Sequence, residues 1–474
     1  MTSTKENTHR RLPAGALVVM VGGVASGKTT VARQIADGNP SAIVETDGIR
    51  QQLFGDANTQ GDPRHIHAAA QAMAEARLAQ GMSVIYDALS LKEADRRPLV
   101  ELARRYGAPV IAVLVAADPD ESRRRNAERD RTVPEKAFER NVARARQVNA
   151  AKLLTEGFDQ VHVIREGEQQ DVRIRLGADG WDRSSVEGPF DIVGDIHGCL
   201  HTAKQLAHKL GYDPDTGEHP EGRTLVSVGD IGDRGPHSWD ALKWARQLVN
   251  SGRLHMVAGN HEVKAARYLA KLAGVCEQAL SGGQSPLEAA EQLIADMAAR
   301  SAGGNAHGLD VTLRQAYRAE IGDGSQPDEA GVARIREMAA WLSRLPHHMV
   351  LDGGRLVVVH GGVRPDLIGR VDQEADSWFL YGAPTGETDE NGLPVRADWQ
   401  EVWEAETDGA FAVGGHTLVK EPRVREHSAM LDTACVHGED AEDAFSGEPF
   451  VGYLTAMSWP ERAFVSVERH EADR

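Results

Sequence analysis

The sequence predicts an α/β chain folded as two domains, each a sheet whose strands end in glycine and polar residues. Three observations carry that expectation. The apolar run 16–21 feeds directly into Gly22-Gly23-Val24-Ala25-Ser26-Gly27-Lys28-Thr29. Past residue 188, further apolar runs each deliver Asp, Asn or His beside glycine. A chain of 474 residues also exceeds one ordinary domain.

Composition narrows the class. The chain is 41% hydrophobic and 26% charged, as globular proteins are, and no apolar run approaches the roughly 18 residues of a membrane span. Residues 1–11 are polar and hold no apolar stretch of the kind a secretory signal needs. Cys199, Cys276 and Cys435 are scattered without paired spacing, which points to a reducing cytoplasm. A net charge of −18 argues against a broad phosphate-gripping surface. A polyanionic substrate must then be met by basic residues gathered at a site.

In the first half, strand 16–21, the glycine-rich stretch and a helical segment 30–36 form the phosphate-binding loop pattern in its expected context. Gly22 and Gly27 free the backbone amides to cradle phosphates, and Thr30 opens the helix. Lys28 reaches the terminal phosphates, and the Thr29 hydroxyl meets Mg2+. Run 42–46 ends in Asp47, with Arg50 one turn later. An acid at that strand tip can accept the proton of an acceptor hydroxyl; Asp47 reads alternatively as the N-cap of the next helix. A helix over 66–80 precedes strand 83–86, which delivers Asp87, a carboxylate able to hold Mg2+ through water. After strand 109–115, Arg125 and Arg129 lie four apart and share a helix face. That spacing suits a lid closing over phosphates, with a solvated arginine-rich helix as the plainer alternative. Strand 160–164 completes the first domain, 1–168. The polar stretch 169–187 reads as a linker.

The second domain, 188–474, repeats one device. Phe190-Asp191-Ile192-Val193 delivers Gly194-Asp195-Ile196-His197-Gly198, and run 224–228 delivers Gly229-Asp230-Ile231-Gly232-Asp233-Arg234-Gly235. Run 254–257 enters Gly259-Asn260-His261-Glu262, and a helical region follows from 263 to about 345, broken near Gly282-Gly283 and between 301 and 308. Run 355–359 delivers His360-Gly361-Gly362, and run 411–413 delivers Gly414-Gly415-His416. One such His or Asp is more often structural; five strand ends in a single register make a binuclear metal site. The expected sharing is Asp195, His197 and His416 on one ion, Asn260 and His360 on the other, with Asp230 bridging. Spacing does not fix which histidine serves which ion. Mixed oxygen and imidazole donors suit manganese, iron or similar ions. Two ions about 4 Å apart bind a phosphate ester and hold a hydroxide between them. His261 is placed to protonate the leaving oxygen, Asp233 to orient it, and Arg234 to grip the phosphate.

Gly-Asp-x-His-Gly, Gly-Asp-x-x-Asp-Arg-Gly, Gly-Asn-His-Glu and His-Gly-Gly resemble the signatures of the calcineurin-like metallophosphoesterases, which are α/β sandwiches. Behind a P-loop kinase domain, the combination resembles the bacterial polynucleotide kinase-phosphatases of RNA repair. The likeness extends over residues 14–467, including Glu45-Thr46-Asp47-Gly48-Ile49-Arg50, Arg125-Asn126-Ala127-Glu128-Arg129 and Leu431-Asp432-Thr433-Ala434-Cys435-Val436. It implies that Lys28 and Thr29 serve ATP and Mg2+, and that Asp47 and Arg50 engage a 5′-hydroxyl end. Arg125 and Arg129 would form the lid, and Asp432 would join the phosphatase site, a role spacing alone does not suggest. The implied reactions are ATP-dependent 5′-phosphorylation and removal of 2′,3′-cyclic, 2′- or 3′-phosphates with two divalent ions, Mn2+ foremost.

There are two departures. Asp87 is followed by Ala88-Leu89-Ser90, where the family often has Ala-Thr-Asn, so a contact from that Asn is not implied. No Lys-x-Asp-Gly occurs in the sequence, so sealing is expected from a separate ligase or repair-complex protein. The expected partners are RNA or DNA ends and that ligase, with no membrane; a homodimer remains one option. Rival readings are a dinucleoside-polyphosphate hydrolase or protein phosphatase in the second half, and a nucleotide-gated scaffold.

Overall fold

A computed structural model describes residues 10–13, 15–36, 39–56, 59, 61–79, 81–128, 132–176, 180–300, 307–322, 329–370, 372–388 and 394–474. The chain divides into two compact units, Met1–Asp179 and Gly180–Arg474.

In the first unit, strand Leu17–Gly22 is buried along its whole length. A strand without polar alternation is stable only at the centre of a covered sheet. Its sheet runs Ile43–Glu45, Val84–Asp87, Leu17–Gly22, Val110–Ala116, Gln160–Arg165, all parallel. Leu17, Val19 and Val21 pack toward helices Pro63–Leu78 and Glu93–Arg105, while Val18 and Met20 face helix Lys28–Ala36. Burying each such side chain contributes about 1.5–3 kcal/mol. The sheet thereby presents the phosphate-binding loop, Asp47 and Asp87 at the C-terminal ends of neighbouring strands.

The stretch 169–187 differs from the expected linker. Val172, Ile174 and Leu176 are buried against helix Lys28–Ala36, and strand Ile174–Arg175 pairs with Arg10–Arg11. Strand Asp182–Arg183 joins the second unit beside His348–Leu351, and Trp181 stacks on His348. The apolar residues 172, 174 and 176 alternate, but only Ile174–Arg175 is strand, and the polar residues around it dilute the period.

The second unit stacks two sheets. One runs Leu254–Met256, Thr224–Ser227, Phe190–Val193, Tyr453–Trp459, Ala463–Glu468. The other runs Arg423–Val424, Ser428–Met430, Phe411–Gly414, Leu356–Val359, His348–Leu351, Asp182–Arg183. Phe190, Ile192, Val226, Leu356, Val358, Phe411 and Val413 interdigitate between them. Helices cover both outer faces: Leu200–Lys209 and Ser238–Asn250 on the first sheet, Gln373–Tyr381 and Trp399–Glu406 on the second. The helical region after strand Leu254–Met256 is resolved into Asn260–Gly282, Pro286–Arg300, Leu309–Glu320 and Glu329–Leu342. Among the described residues, no helix is long and apolar enough to cross a membrane.

Candidate functional site

In the first unit, helix Lys28–Ala36 begins inside the glycine-rich stretch, so Lys28, Thr29 and Thr30 form its first turn. Gly27 has φ +89°, and a Cβ on Gly22 would lie 2.9 Å from both Ser26 Oγ and the Val115 carbonyl. Backbone packed so tightly can turn its amides toward a ligand. The Lys28 ammonium rests 2.6 Å from the Gly23 carbonyl. Thr29 Oγ1 donates to Asp87 Oδ2 at 2.7 Å, which joins the two residues expected at Mg2+. Burial raises the Asp87 pKa against the opposing pull of Thr29 and Lys28. A cation at that carboxylate would offset this cost.

Asp47 lies within helix Thr46–Phe54, and Glu45 occupies the N-cap, so the capping alternative for Asp47 does not hold. Its Oδ1 pairs with Arg50 at 2.5 Å, with both groups at the end of the strand beside Asp87. Arg125 is held by Glu121 at 2.8 Å and Glu166 at 2.7 Å. Its expected partner in the lid, Arg129, lies outside the described residues.

In the second unit, Asp195, Asp230, Asn260, His360 and His416 each follow the C-terminal end of a strand. His197, Asp230, Asp233, Arg234 and His416 adopt positive φ of 46°, 50°, 65°, 66° and 64°. Such backbone costs of order 1–3 kcal/mol per residue and persists where its surroundings over-determine it. The flanking glycines have a steric reason: a Cβ at Gly259 would strike the Asp230 carboxylate, and one at Gly415 that of Asp195.

The histidines are oriented for metal. His197 Nδ1 donates to the Gly232 carbonyl at 3.1 Å, leaving Nε2 3.5 Å from Asp230 Oδ2. His360 Nδ1 donates to the Val228 carbonyl at 3.1 Å, since a carbonyl can only accept. Its Nε2 then faces Asn260 Oδ1 at 2.9 Å, His416 Nδ1 at 3.1 Å and Asp230 Oδ2 at 3.3 Å. Three acceptors thus converge on the single His360 Nε2. Asp195 Oδ1 is fully buried and has no hydrogen-bond partner, while Oδ2 accepts from the His416 amide at 3.1 Å. Burial drives Asp195 well above the usual carboxylate range, and Asp432 and Asp230 push it further. Burial opposes a charged His360, yet Asp230 and Asp195 outweigh it and push His360 up to about 10. Burial and then His360 drive His416 down to about 3. Buried negative charge of this kind calls for cations, and the donor set fits a pair of divalent ions.

Candidate ligand atoms gather as His197–Asp230–His261 and Asp230–His360–His416, with Asp230 common to both; the His261 ring is tied to Asp233, which leaves His197 and Asp230 as the donors of the first group. The sequence reading grouped His416 with Asp195 and His197; its ring lies 3.1 Å from His360 Nε2, and its amide donates to Asp195 Oδ2. Strands Leu356–Val359 and Phe411–Gly414 are parallel neighbours, with Val358 opposite Val413, so their ends deliver His360 and His416 side by side. Asp195 and His197 arrive from the facing sheet.

His261 Nδ1 pairs with Asp233 Oδ2 at 2.8 Å, and Asp233 Oδ1 accepts from Thr312 Oγ1 at 2.5 Å. Burial lowers the His261 pKa, but Asp230 and Asp233 outweigh it and raise it overall. The ring can therefore hold a proton for a departing oxygen. Arg234 Nη1 donates to His437 Nε2 at 2.8 Å. Asp432 follows strand Ser428–Met430, is buried, and accepts from the Ala434 amide at 3.0 Å.

Three residues had no role in the sequence reading. The buried Glu262 carboxylate accepts from the amides of Asp230 at 2.7 Å, Ile231 at 2.9 Å and Gly259 at 2.9 Å. It thereby staples the Asp230 loop to the Asn260 loop. Its place in Gly-Asn-His-Glu was a signal. Thr312 and His437 carried none.

Family models agree with this division: one described as calcineurin-like phosphoesterase matches residues 188–425, and one described as AAA domain matches 17–149. A bis(5′-nucleosyl)-tetraphosphatase (asymmetrical) of Anoxybacillus flavithermus is 35% identical over 281 residues, 59% of this chain and 93% of that protein. Its Geobacillus thermodenitrificans counterpart is 36% identical over 280 residues, with 59% and 93% covered. A solved protein serine/threonine phosphatase from Saccharomyces cerevisiae aligns with TM-score 0.37 and 13% identity, covering 61% of this chain and 83% of that one.

Proposed function

The chain belongs to the calcineurin-like phosphoesterase family, and from that premise we propose that it is a bifunctional enzyme healing broken nucleic-acid ends. The first unit phosphorylates 5′-hydroxyl ends with ATP and Mg2+. The second removes 2′,3′-cyclic, 2′- or 3′-phosphates with two divalent ions, Mn2+ foremost. The healed ends then pass to a separate ligase in the cytoplasm.

One observation supports this reading: a P-loop kinase-like unit, with carboxylates and an arginine beside its glycine-rich loop, shares the chain with a calcineurin-like phosphoesterase unit. Thr29–Asp87 and Asp47–Arg50 lie at adjacent strand ends beside the phosphate-binding loop. Asp47 accepts the proton of the attacking hydroxyl while Arg50 holds its carboxylate in place. Arg125 and Arg129 would supply charge over the phosphates on closure.

In the second unit, bound divalent ions supply Lewis-acid activation of the ester and of water. Asp195, His197, Asp230, Asn260, His360, His416 and Asp432 would hold them. Arg234 orients the phosphate, and His261 gives its Nε2 proton to the leaving oxygen while Thr312 and Asp233 fix the ring. From His261, helix Asn260–Gly282 carries Lys264, Tyr268 and Lys271 along one stripe, with Arg267 beside it. The Tyr268 ring is flanked by Arg267 at 5.2 Å and Lys271 at 4.6 Å. In a chain of net charge −18, a local basic and aromatic stripe suits a polyanionic strand.

The likeness to bis(5′-nucleosyl)-tetraphosphatases favours a second reading, hydrolysis of dinucleoside polyphosphates. The test compares RNA ending in a 2′,3′-cyclic phosphate with diadenosine tetraphosphate under Mn2+. A higher kcat/KM on RNA, with label transfer from ATP to a 5′-hydroxyl oligonucleotide, is expected. Preference for the tetraphosphate without label transfer would establish the second reading.

A further inference from the structure

Outside both centres, His201, His237 and Asp473 gather where the C-terminal segment meets two helix starts. One ligand atom from each lies within 4.8 Å of the others. Asp473 Oδ1 is 3.0 Å from His201 Nδ1 and 3.9 Å from His237 Nε2. The His201 and His237 rings meet edge-on with centroids 4.6 Å apart, and His470 stacks on His201 at 5.5 Å. The Ala472 carbonyl lies 2.9 Å from His237 Nε2.

We infer that this cluster is a further metal site, for a zinc-class divalent ion, with His201, His237, Asp473 and the Ala472 carbonyl as donors. Two imidazoles and one carboxylate are a donor set that zinc and its neighbours accept, and separations of 3.0 and 3.9 Å are close to those between donors of one small ion. The carboxylate is already oriented: Asp473 is fully buried, and its Oδ2 accepts from the Thr202 amide and hydroxyl, each at 2.6 Å. Such support from behind fixes a ligand carboxylate in place. The His201 and His237 side chains are 42% and 31% exposed, so an ion can enter from solvent. On binding, His201 Nδ1 and His237 Nε2 turn their lone pairs to the ion, and each neutral ring carries its proton on the other nitrogen.

The position gives the ion a role. His201 begins the helix Leu200–Lys209 just after the Asp195–His197 loop, and His237 caps helix Ser238–Asn250 just after the Asp230–Arg234 loop. The loops already exchange hydrogen bonds: the Gly235 amide donates to the His197 carbonyl at 3.0 Å, and the His237 amide to that of Gly198 at 3.1 Å. A bound ion clamps both loops to the segment Glu471–Asp473 without touching the phosphoesterase donors.

This inference does not rest on the proposed reaction. The test dialyses the full chain against Zn2+ and counts ions per chain by mass spectrometry, for wild type and for the His201→Ala/His237→Ala double variant. The variant is expected to hold one zinc fewer and to lose part of the zinc-induced rise in Tm, while keeping kinase activity. Equal zinc counts overturn the site. Should the double variant prove misfolded, Co2+ is added to a chain carrying Asp195→Asn and His360→Ala. Visible bands of a four-coordinate nitrogen–oxygen site are then expected, and their absence overturns the inference.

Discussion

The two candidate centres are spread along the chain in opposite ways. The nucleotide centre is the more local: one stretch, 22–29, supplies backbone amides, Lys28 and Thr29, while Asp47, Arg50, Asp87 and the proposed lid arginines come from elsewhere. The hydrolytic centre gathers donors from 195 to 432, one strand end at a time, across two sheets. A loop of amides needs only its own turn to be correct. A pair of cations needs six strand ends delivered to one place, so its geometry depends on sheet order. The first design tolerates distant change better than the second.

Substitutions sharpen that contrast. Asp230→Asn removes the carboxylate common to both donor sets, and phosphoesterase turnover is expected to fall roughly 10³-fold or more, with label transfer from ATP unchanged. Lys28→Ala is expected to cut 5′-phosphorylation by about 10²–10³-fold and to spare hydrolysis. Glu262→Gln tests the dispersed design through stability. It turns an amide N–H toward the backbone amides of Gly259, Asp230 or Ile231, an unmatched contact worth about 1–3 kcal/mol. A fall in Tm of the phosphoesterase unit is expected by calorimetry, and an unchanged Tm would show that the staple is dispensable. The smallest expected effect is that of Thr312→Val, which leaves Asp233 Oδ1 without its donor. About tenfold slower cleavage is expected for alkoxide leaving groups. Little change is expected for a p-nitrophenyl ester, which needs no proton. Equal slowing on both substrates would remove His261 from the acid role.

The same contrast explains what the sequence disclosed. Strand 16–21 and the loop after it were legible because their period and glycines are local. Most candidate donors of the second site were readable for a similar reason: an apolar run followed by Asp, Asn or His and glycine is visible residue by residue. The pairing of His416 with His360 was not, because the adjacency of strands Leu356–Val359 and Phe411–Gly414 exists only in the folded sheet. Asp432 follows a short strand without a glycine, so only resemblance suggested it. Thr312 is a threonine on an amphipathic helix, and nothing in its spacing points toward Asp233. The edge strand at 174–175 was hidden because two residues are too few to show a period.

The most direct measurement of the central claim is a single gel. RNA bearing a 5′-hydroxyl and a 2′,3′-cyclic phosphate is incubated with ATP, Mg2+ and Mn2+, using wild type, Lys28→Ala and His197→Ala. The account predicts that wild type converts both ends, Lys28→Ala only the 3′ end, and His197→Ala only the 5′ end. Loss of both conversions with either substitution, in chains that remain folded, would contradict two independent phosphate-handling centres.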